Sequence, residues 1–255
     1  MNQATARDAV EKTIRSLEGH GAKREHADIE PIKSNLVKVE IVGDSALHVH
    51  AMSAKTAMQI EDASQGKDDA KVNKGKKRRP PKDPWSDFCH ALHVLPGKKL
   101  PWPQMSSKIV DGVPQLPYPI GTKFEFYKDT FGFPTAAIGK GIRAILRDHG
   151  FTKIEQAGIW VHSKYGSLMP LTYDELIFER VACRVGPYKV ADMHYRGLFG
   201  GWSTEIAIEY DTELISLKQL LNAVNRAGRY CGLGEQRKSS PLNPGDEGMY
   251  HVRTV

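Results

Sequence analysis

Proline is concentrated in one stretch of this 255-residue chain, and that stretch limits the fold more than any other feature. Residues 80–119 hold 9 of the 15 prolines. Proline fixes the backbone φ angle and has no N–H to donate, so this stretch cannot form the interior of a regular sheet. It still carries enough apolar side chains to dock on a folded body: Trp85, Phe88, Leu92, Val94 and Leu95. We therefore predict that residues 52–119 are a long irregular insertion within one domain.

Strand-like patterns lie on both sides of the predicted insertion. Apolar residues alternate over 32–49, 158–162, 176–184 and 201–210, and residues 249–255 close the chain in the same way. A period of two is typical of half-buried strands. The sequence therefore predicts strands in these segments.

Two segments have the periodicity of helices. Residues 135–149 carry an apolar stripe, with Thr135 as the predicted N-cap and Gly150 as the predicted stop. A second helix begins after Ser216, a good N-cap residue, and is predicted to stop at Gly228. Its predicted core face consists of Leu217, Leu220, Leu221 and Val224.

The order of these segments predicts the fold class and the domain organisation. Outside the insertion they follow a β-α-β-β-α-β order, which is the split βαβ or ferredoxin-like arrangement. We therefore predict an α+β fold, ferredoxin-like, with an antiparallel sheet, helices on one face and the long irregular insertion. Residues 1–30 are predicted as an N-terminal arm or helix, and residues 31–255 as the body.

The composition argues against secreted and membrane classes. No apolar run approaches the roughly 20 residues needed to span a bilayer, and the first residues are polar, unlike a signal peptide. Three scattered cysteines cannot form a disulfide framework. We therefore expect a cytoplasmic protein with no membrane partner.

The positive charge of the chain lies mainly in one segment. The net charge is +6, and residues 66–83 contribute 8 Lys or Arg against 3 Asp, a net of +5, which leaves +1 for the rest. The segment is centred on Lys76, Lys77, Arg78 and Arg79. Such a run is typical of a nucleic-acid contact, because each cation at a phosphate releases condensed counterions. The alternative is a solvated loop that binds nothing.

Three further segments carry cations in patterns suited to phosphates or bases. They are the predicted helix 135–149, the aromatic and cationic segment 193–202, and the glycine-rich segment 232–240. The candidate binding residues in them are Lys140, Arg143, Arg147, His194, Tyr195, Arg196, Arg237 and Lys238. The alternatives are a solvated helix face, a β-bend with its aromatic side chains in the core, and a flexible hairpin loop.

Metal-like histidine patterns are present but incomplete. His48 and His50 stand at i and i+2, where two side chains leave a strand on the same face and could share a metal. Neither they nor the Cys89–His93 segment has a third or fourth ligand at a recognisable spacing, and Cys183 and Cys231 lie far off. We therefore predict no metal, no cofactor and no catalytic residue from the sequence.

Four segments of the chain resemble a group of phage and prophage proteins. The matching segments are 41–55, 131–144, 192–210 and 231–252, which together cover most of the body. This resemblance implies a phage source, and so the cytoplasm of a bacterial host, and it implies no particular activity.

A second resemblance is to the RAMP superfamily, the ferredoxin-like proteins that include the backbone subunit of multi-subunit CRISPR effectors. Pro134, Lys140, Gly141 and Arg143 approximate its helix-start motif, and Gly232, Gly234, Arg237 and Lys238 approximate its glycine-rich loop before the last strand. Serines usual in the first motif are replaced by alanines here, and Glu235 stands where the loop is usually basic or small. The resemblance implies that both motifs lie at an RNA-binding face.

These observations predict a non-catalytic, phage-type protein that binds single-stranded RNA or DNA and assembles as a multimer along the strand. Two alternatives remain open. One is a metal-independent ribonuclease of the RAMP type, with His48 or His194 as general acid or base. The other is a phage structural protein, or one that binds a host protein, in which the basic segment meets an acidic partner.

Overall fold

The computed structural model describes residues 31–51, 61, 64, 83–102, 108–110, 113–125, 129–151, 158–185 and 190–253. The predicted N-terminal arm and the basic run Lys76, Lys77, Arg78 and Arg79 lie outside the described residues. The chain divides into two units, residues 1–33 and residues 34–255, and every element named below belongs to the second.

The described residues form an α+β fold of antiparallel strand pairs and three helices. The helices are α1 (Pro84–Ala91), α2 (Thr135–Asp148) and α3 (Leu217–Tyr230). The strands are β1 (Ser34–Gly43), β2 (Leu47–Val49), β3 (His93–Val94), β4 (Lys108–Val110), β5 (Val113–Gln115), β6 (Lys123–Glu125), β7 (Phe131–Pro134), β8 (Ile159–His162), β9 (Leu168–Pro170), β10 (Glu175–Val185), β11 (Val190–Gly200), β12 (Ser203–Asp211) and β13 (Tyr250–Arg253). None of the described helices has the length and apolar character needed to cross a bilayer.

The first sheet has the strand order β13–β1–β12–β8, and all neighbouring strands are antiparallel. Its central strand β12 buries Thr204, Ile206, Ile208 and Tyr210, which confirms the predicted alternation of residues 201–210. Helices α2 and α3 pack against each other and against this sheet, α2 on β8 and α3 on β13. The sheet and its two helices therefore enclose one part of the core.

Helix α2 starts differently from the prediction. Pro134 is the N-cap residue and makes no side-chain cap, while Thr135 is already helical and donates its hydroxyl to the carbonyl of Ser167, 3.2 Å away. The predicted Thr135 cap is wrong because strand β7 runs directly into the helix, so the change of backbone conformation falls at Pro134. The predicted stop is confirmed, since Gly150 has φ of +84° just after the helix.

Helix α3 begins as predicted but ends later. Ser216 accepts a hydrogen bond from the Gln219 backbone, and the Gln219 side chain accepts one from the Ser216 backbone, which makes a capping box. The predicted stop at Gly228 is wrong, because the helix continues to Tyr230. The prediction that Leu217 belongs to the core is also wrong, since 42% of its surface is exposed.

Replacing Ser216 by alanine should therefore lower the free energy of unfolding by about 1 kcal/mol, the usual cost of losing a side-chain N-cap. Leu217→Ala, one residue further on, should change it by less than about 0.5 kcal/mol because the side chain is largely exposed. Urea denaturation of both variants would measure the difference. Equal losses would contradict the capping role.

The second sheet has the order β2–β11–β10–β6, and helix α1 packs against β11 on one of its faces. Pro84 occupies the first turn of α1, where its missing N–H costs nothing, and Asp83 caps the helix. Trp85 and Phe88 are completely buried in the core, so the predicted docking of this proline-rich segment is confirmed for its helix. Within the described residues, β4 and β5 pair only with each other, and β3, β7 and β9 form a small third sheet.

Two of the connections between the two four-stranded sheets lie side by side. A turn leads from β1 to β2, and Gly200–Gly201–Trp202 leads from β11 to β12. At this crossing the Gly43 N–H donates to the Trp202 carbonyl and the Trp202 indole N–H donates to the Ser45 carbonyl, each over 2.8 Å. The single sheet predicted from the sequence is therefore divided, within the described residues, into two four-stranded sheets and two smaller ones. Residues 190–200 form a long strand in a segment for which no strand was predicted.

Candidate functional site

A cleft of about 460 Å³ opens between helix α2 and the loop 231–239. Its lining includes His50, His93, Lys140, Glu235, Arg237 and Ser239. The two segments that form its walls are far apart in the sequence, and both were singled out as candidate binding motifs. The structure therefore brings the two motifs together at one opening.

The three candidate cations of α2, which are Lys140, Arg143 and Arg147, lie in three different environments. Lys140 is exposed and lines the cleft. Arg143 donates from Nη1 to the Ile159 carbonyl, 3.2 Å away, and so lies against β8. Arg147 is exposed near the end of the helix, with its Nε 4.0 Å from an oxygen of Asp148. Of these three cations, Lys140 is the one in the cleft lining.

The loop 231–248 is attached to the body by backbone hydrogen bonds. The Glu235 N–H donates to the His48 carbonyl over 3.1 Å, and the Gly248 N–H donates to the Ala46 carbonyl over 2.7 Å. Gly234 has φ of +72°, and a Cβ there would lie 2.3 Å from the His48 oxygen. Only glycine allows this approach, so the sequence fixes the loop against β2 and places Glu235 over the second sheet.

The two predicted cations of the loop have different positions. Arg237 lines the cleft, and its guanidinium also donates to the Gly234 carbonyl over 2.7 Å and to Ser239 Oγ over 3.1 Å. Lys238 points to Asp246, with 3.5 Å between Nζ and the carboxylate. Arg237 thus supports the loop conformation while contributing charge to the cleft.

The segment 193–202 is divided by the strand that it forms. Side chains of β11 alternate between the two faces of the sheet. Tyr195 packs toward the core, with its ring centroid 6.3 Å from that of Phe178. His194 and Arg196 point the other way, toward Glu235. The rings and cations that were predicted to form one surface therefore lie on two faces.

Six side chains on that second face form an ionic cluster, which we call the His–Glu–Arg cluster. Its members are His48, His50, Glu179, His194, Arg196 and Glu235. Arg196 is completely buried at its centre and contacts both carboxylates. Because its guanidinium has no exposed surface, we assign Arg196 to holding the cluster together and leave it out of the surface that could contact a ligand.

The distances within the cluster define two halves. On one side, His48 Nδ1 lies 3.0 Å and Arg196 Nε 3.5 Å from Oε2 of Glu179. On the other, Arg196 Nη1 contacts Oε2 of Glu235, while His50 Nδ1 lies 3.0 Å and His194 Nδ1 3.8 Å from its Oε1. His48 and His50 therefore do not share a ligand position, although they are two residues apart.

Both carboxylates of the cluster are held in their ionised form. Burial alone would raise the pKa of Glu235, but the imidazoles of His194 and His50 and the charge of Arg196 outweigh it and hold that pKa well below its usual range. Burial also tends to raise the pKa of Glu179, but its contacts with His48 and Arg196 outweigh this effect, so that pKa lies below its usual value. The cluster therefore keeps two negative charges in a partly buried environment.

The second histidine pattern of the sequence does not assemble into a site. Cys89 is buried in α1, and burial raises the pKa of its thiol to about 11, so it remains protonated at neutral pH. His90 is exposed and lies 3.3 Å from Ser86 Oγ. His93 faces the cleft, and burial lowers the pKa of its imidazole.

Comparison with known proteins finds no matching family model and no matching curated sequence. The cleft and the His–Glu–Arg cluster beside it are therefore the basis for a functional hypothesis. Chemically, the cleft offers the cations Lys140 and Arg237, the imidazole rings of His50 and His93, and the carboxylate of Glu235. The cations and rings together suit an anionic ligand with an aromatic part.

Proposed function

We propose that this protein binds single-stranded nucleic acid and that the phosphate backbone enters the cleft between α2 and the loop 231–239. The observation that carries the proposal is the meeting of Lys140 and the glycine-rich loop with Arg237 across one opening. This combination favours phosphate binding, because the cations supply positive charge and the glycines allow the backbone to approach a phosphate closely. His50 and His93 line this opening and supply polar rings that could stack on bases.

The strand order supports a ferredoxin-like fold for the first sheet and its helices. The four strands occur along the chain as β1, β8, β12 and β13, with α2 and α3 in the two crossovers, and they are arranged in the order fourth, first, third, second. This order is the one expected for the split βαβ arrangement. A RAMP-like protein of phage origin would place its helix-start motif and its glycine-rich loop on one RNA-binding face, as the cleft walls are placed here.

The test is a gel-shift titration of labelled single-stranded RNA, single-stranded DNA and duplex at two salt concentrations, with product lengths checked on a denaturing gel. Lys140→Glu should weaken binding at least about tenfold. Lys140→Ala should reduce the slope of log affinity against log salt by about one, the expectation for one lost phosphate contact. Lys140 is exposed, so both variants should keep the fold.

Arg147→Glu provides the matched control, because Arg147 is exposed on the same helix and is absent from the cleft lining. It should weaken binding less than Lys140→Glu. If Lys140→Glu and Arg147→Glu weaken binding equally, the phosphate path through the cleft is contradicted. The whole exposed face of the helix would then be the binding surface.

The same experiment separates the other functions. Ladder-like complexes would support assembly along the strand. Cleavage in EDTA that disappears in His194→Ala would favour the ribonuclease, with His194 and not the buried His48 as the acid or base. If none of the three nucleic acids binds, the proposal fails, and a protein partner for the basic segment becomes the next hypothesis.

A further inference from the structure

We propose that His50, His194 and Glu235 form a binding site for a divalent transition metal, with Zn²⁺ as the ion that best fits the ligands. One ligand atom from each residue lies within 4.8 Å of the other two. The inference concerns a different ligand from nucleic acid and does not depend on it.

The two distances from the Glu235 carboxylate to the imidazoles are close to those between ligands of a bound ion. His50 Nδ1 and His194 Nδ1 lie 3.0 Å and 3.8 Å from Oε1 of Glu235. Ligands at about 2.0–2.2 Å from a tetrahedral zinc are roughly 3.3–3.5 Å apart. Small rotations of the side chains would therefore be enough to place an ion among the three atoms.

The surroundings hold the ligand atoms in orientations suited to a cation. Arg196 contacts Oε2 of Glu235, which leaves Oε1 directed at the two imidazoles. The carboxylate of Asp192 lies 3.8 Å from Nε2 of His194, the ring nitrogen opposite the Nδ1 that faces Glu235. Metal-binding histidines commonly donate a hydrogen bond from the far nitrogen to a carboxylate, and Asp192 lies on that side of His194 at a distance longer than a hydrogen bond.

The charge of the cluster also favours a cation. Glu179 and Glu235 supply two negative charges against the single positive charge of Arg196, so the cluster has a net charge of −1 when its imidazoles are neutral. Two imidazoles and one carboxylate select Zn²⁺ and related transition metals over Mg²⁺ and Ca²⁺, which prefer oxygen ligands.

The proposed site has an open position toward the cleft. His50 and Glu235 both belong to the cleft lining, and about a third of each side chain is exposed. Three protein ligands and one open position are typical of zinc sites that bind water or substrate, whereas structural sites are closed by four protein ligands. The ion would therefore be reached by a molecule in the cleft.

The test uses the full chain, treated with EDTA, dialysed, and titrated with Co²⁺ while the visible absorption of the bound ion is recorded. The wild type should bind one equivalent, and Zn²⁺ should displace it while millimolar Mg²⁺ should not. His50→Ala and Glu235→Gln should each weaken Co²⁺ binding at least about tenfold. The absence of a saturable single site would overturn the proposal.

His162→Ala is the matched control, because His162 pairs with Glu209 over 3.0 Å at an exposed position on the first sheet. It should leave Co²⁺ affinity unchanged, and an effect equal to that of His50→Ala would contradict the assigned ligands. X-ray absorption of the Zn²⁺-loaded wild type needs no variant. It should show nitrogen and oxygen ligands with two imidazoles, and a sulfur ligand at about 2.3 Å would overturn the assignment.

Discussion

Gly228→Ala should lower the free energy of unfolding by about 3 kcal/mol or more, although alanine is the better helix former by about 1 kcal/mol. A Cβ at this position would lie 1.9 Å from the carbonyl oxygen of Tyr250 and 2.7 Å from its ring. Tyr250 cannot move away easily, because it lies in β13 and is paired with Gly43 of the neighbouring strand β1. The change would therefore push α3 off the first sheet.

Gly141→Ala in helix α2 is the matched control for this prediction. Its Cβ would lie 3.4 Å from that of Ala227, an ordinary contact, so we expect stability to be unchanged or raised by up to about 1 kcal/mol. Urea denaturation with comparable m-values would measure both variants. If Gly228→Ala is as stable as the wild type, the close packing of α3 on β13 is incorrect.

Arg196→Met should lower the free energy of unfolding by about 3 kcal/mol. Methionine matches the length of the arginine stem, but it leaves Glu179 and Glu235 without their shared cation, and unpaired buried charges cost about 3–5 kcal/mol. The lower end applies because 29% and 31% of these two side chains remain exposed. The measurement is urea denaturation in EDTA, which removes any contribution from bound metal.

The effect of Arg196→Met should shrink in acid. Contacts with His48 and Arg196 hold the pKa of Glu179 below its usual range, so their stabilisation is present above the unfolded-state pKa of about 4.3 and is lost as the pH falls. In the variant, protonation of the carboxylate relieves the unpaired charge. The difference between the two proteins should therefore be largest at pH 7 and smaller near pH 4.

Arg253→Met controls for the loss of any arginine. The Arg253 guanidinium is 59% exposed, and it pairs with Glu40 at the edge of the first sheet. Exposed pairs contribute little, so the loss of stability should be much smaller than for Arg196→Met. Equal losses would contradict the central role of Arg196 in the cluster.

Much of the first sheet could be predicted because its local signals agree with its tertiary environment. The alternation in β12 and the N-cap at Ser216 are predicted correctly, because the period of apolar residues and the choice of a capping residue are both visible in a short stretch of sequence. The end of α3 could not be predicted, because Gly228 serves a contact with Tyr250, which is distant in sequence. A glycine used for close packing looks the same in sequence as one that stops a helix.

The second sheet was missed for a related reason. Strand β11 places His194 and Arg196 on one face and buries them against Glu235. Polar residues therefore occupy positions at which a buried strand usually has apolar ones. The cluster itself depends on β2, β10, β11 and the loop meeting in space. The His48–His50 spacing gave one ligand, but nothing in the sequence linked it to His194 or Glu235.

The double crossing at Trp202 has a consequence for how the body unfolds. The chain passes from the first sheet to the second at Gly43 and returns from the second to the first at Trp202, and these two crossings are hydrogen-bonded to each other. A Cβ at Gly43 would lie 2.2 Å from the indole nitrogen, so the crossings are also in close contact. Opening either sheet would break contacts that the other requires. The two four-stranded sheets should therefore unfold as one cooperative unit, with amide protons of both sheets exchanging through the same global opening.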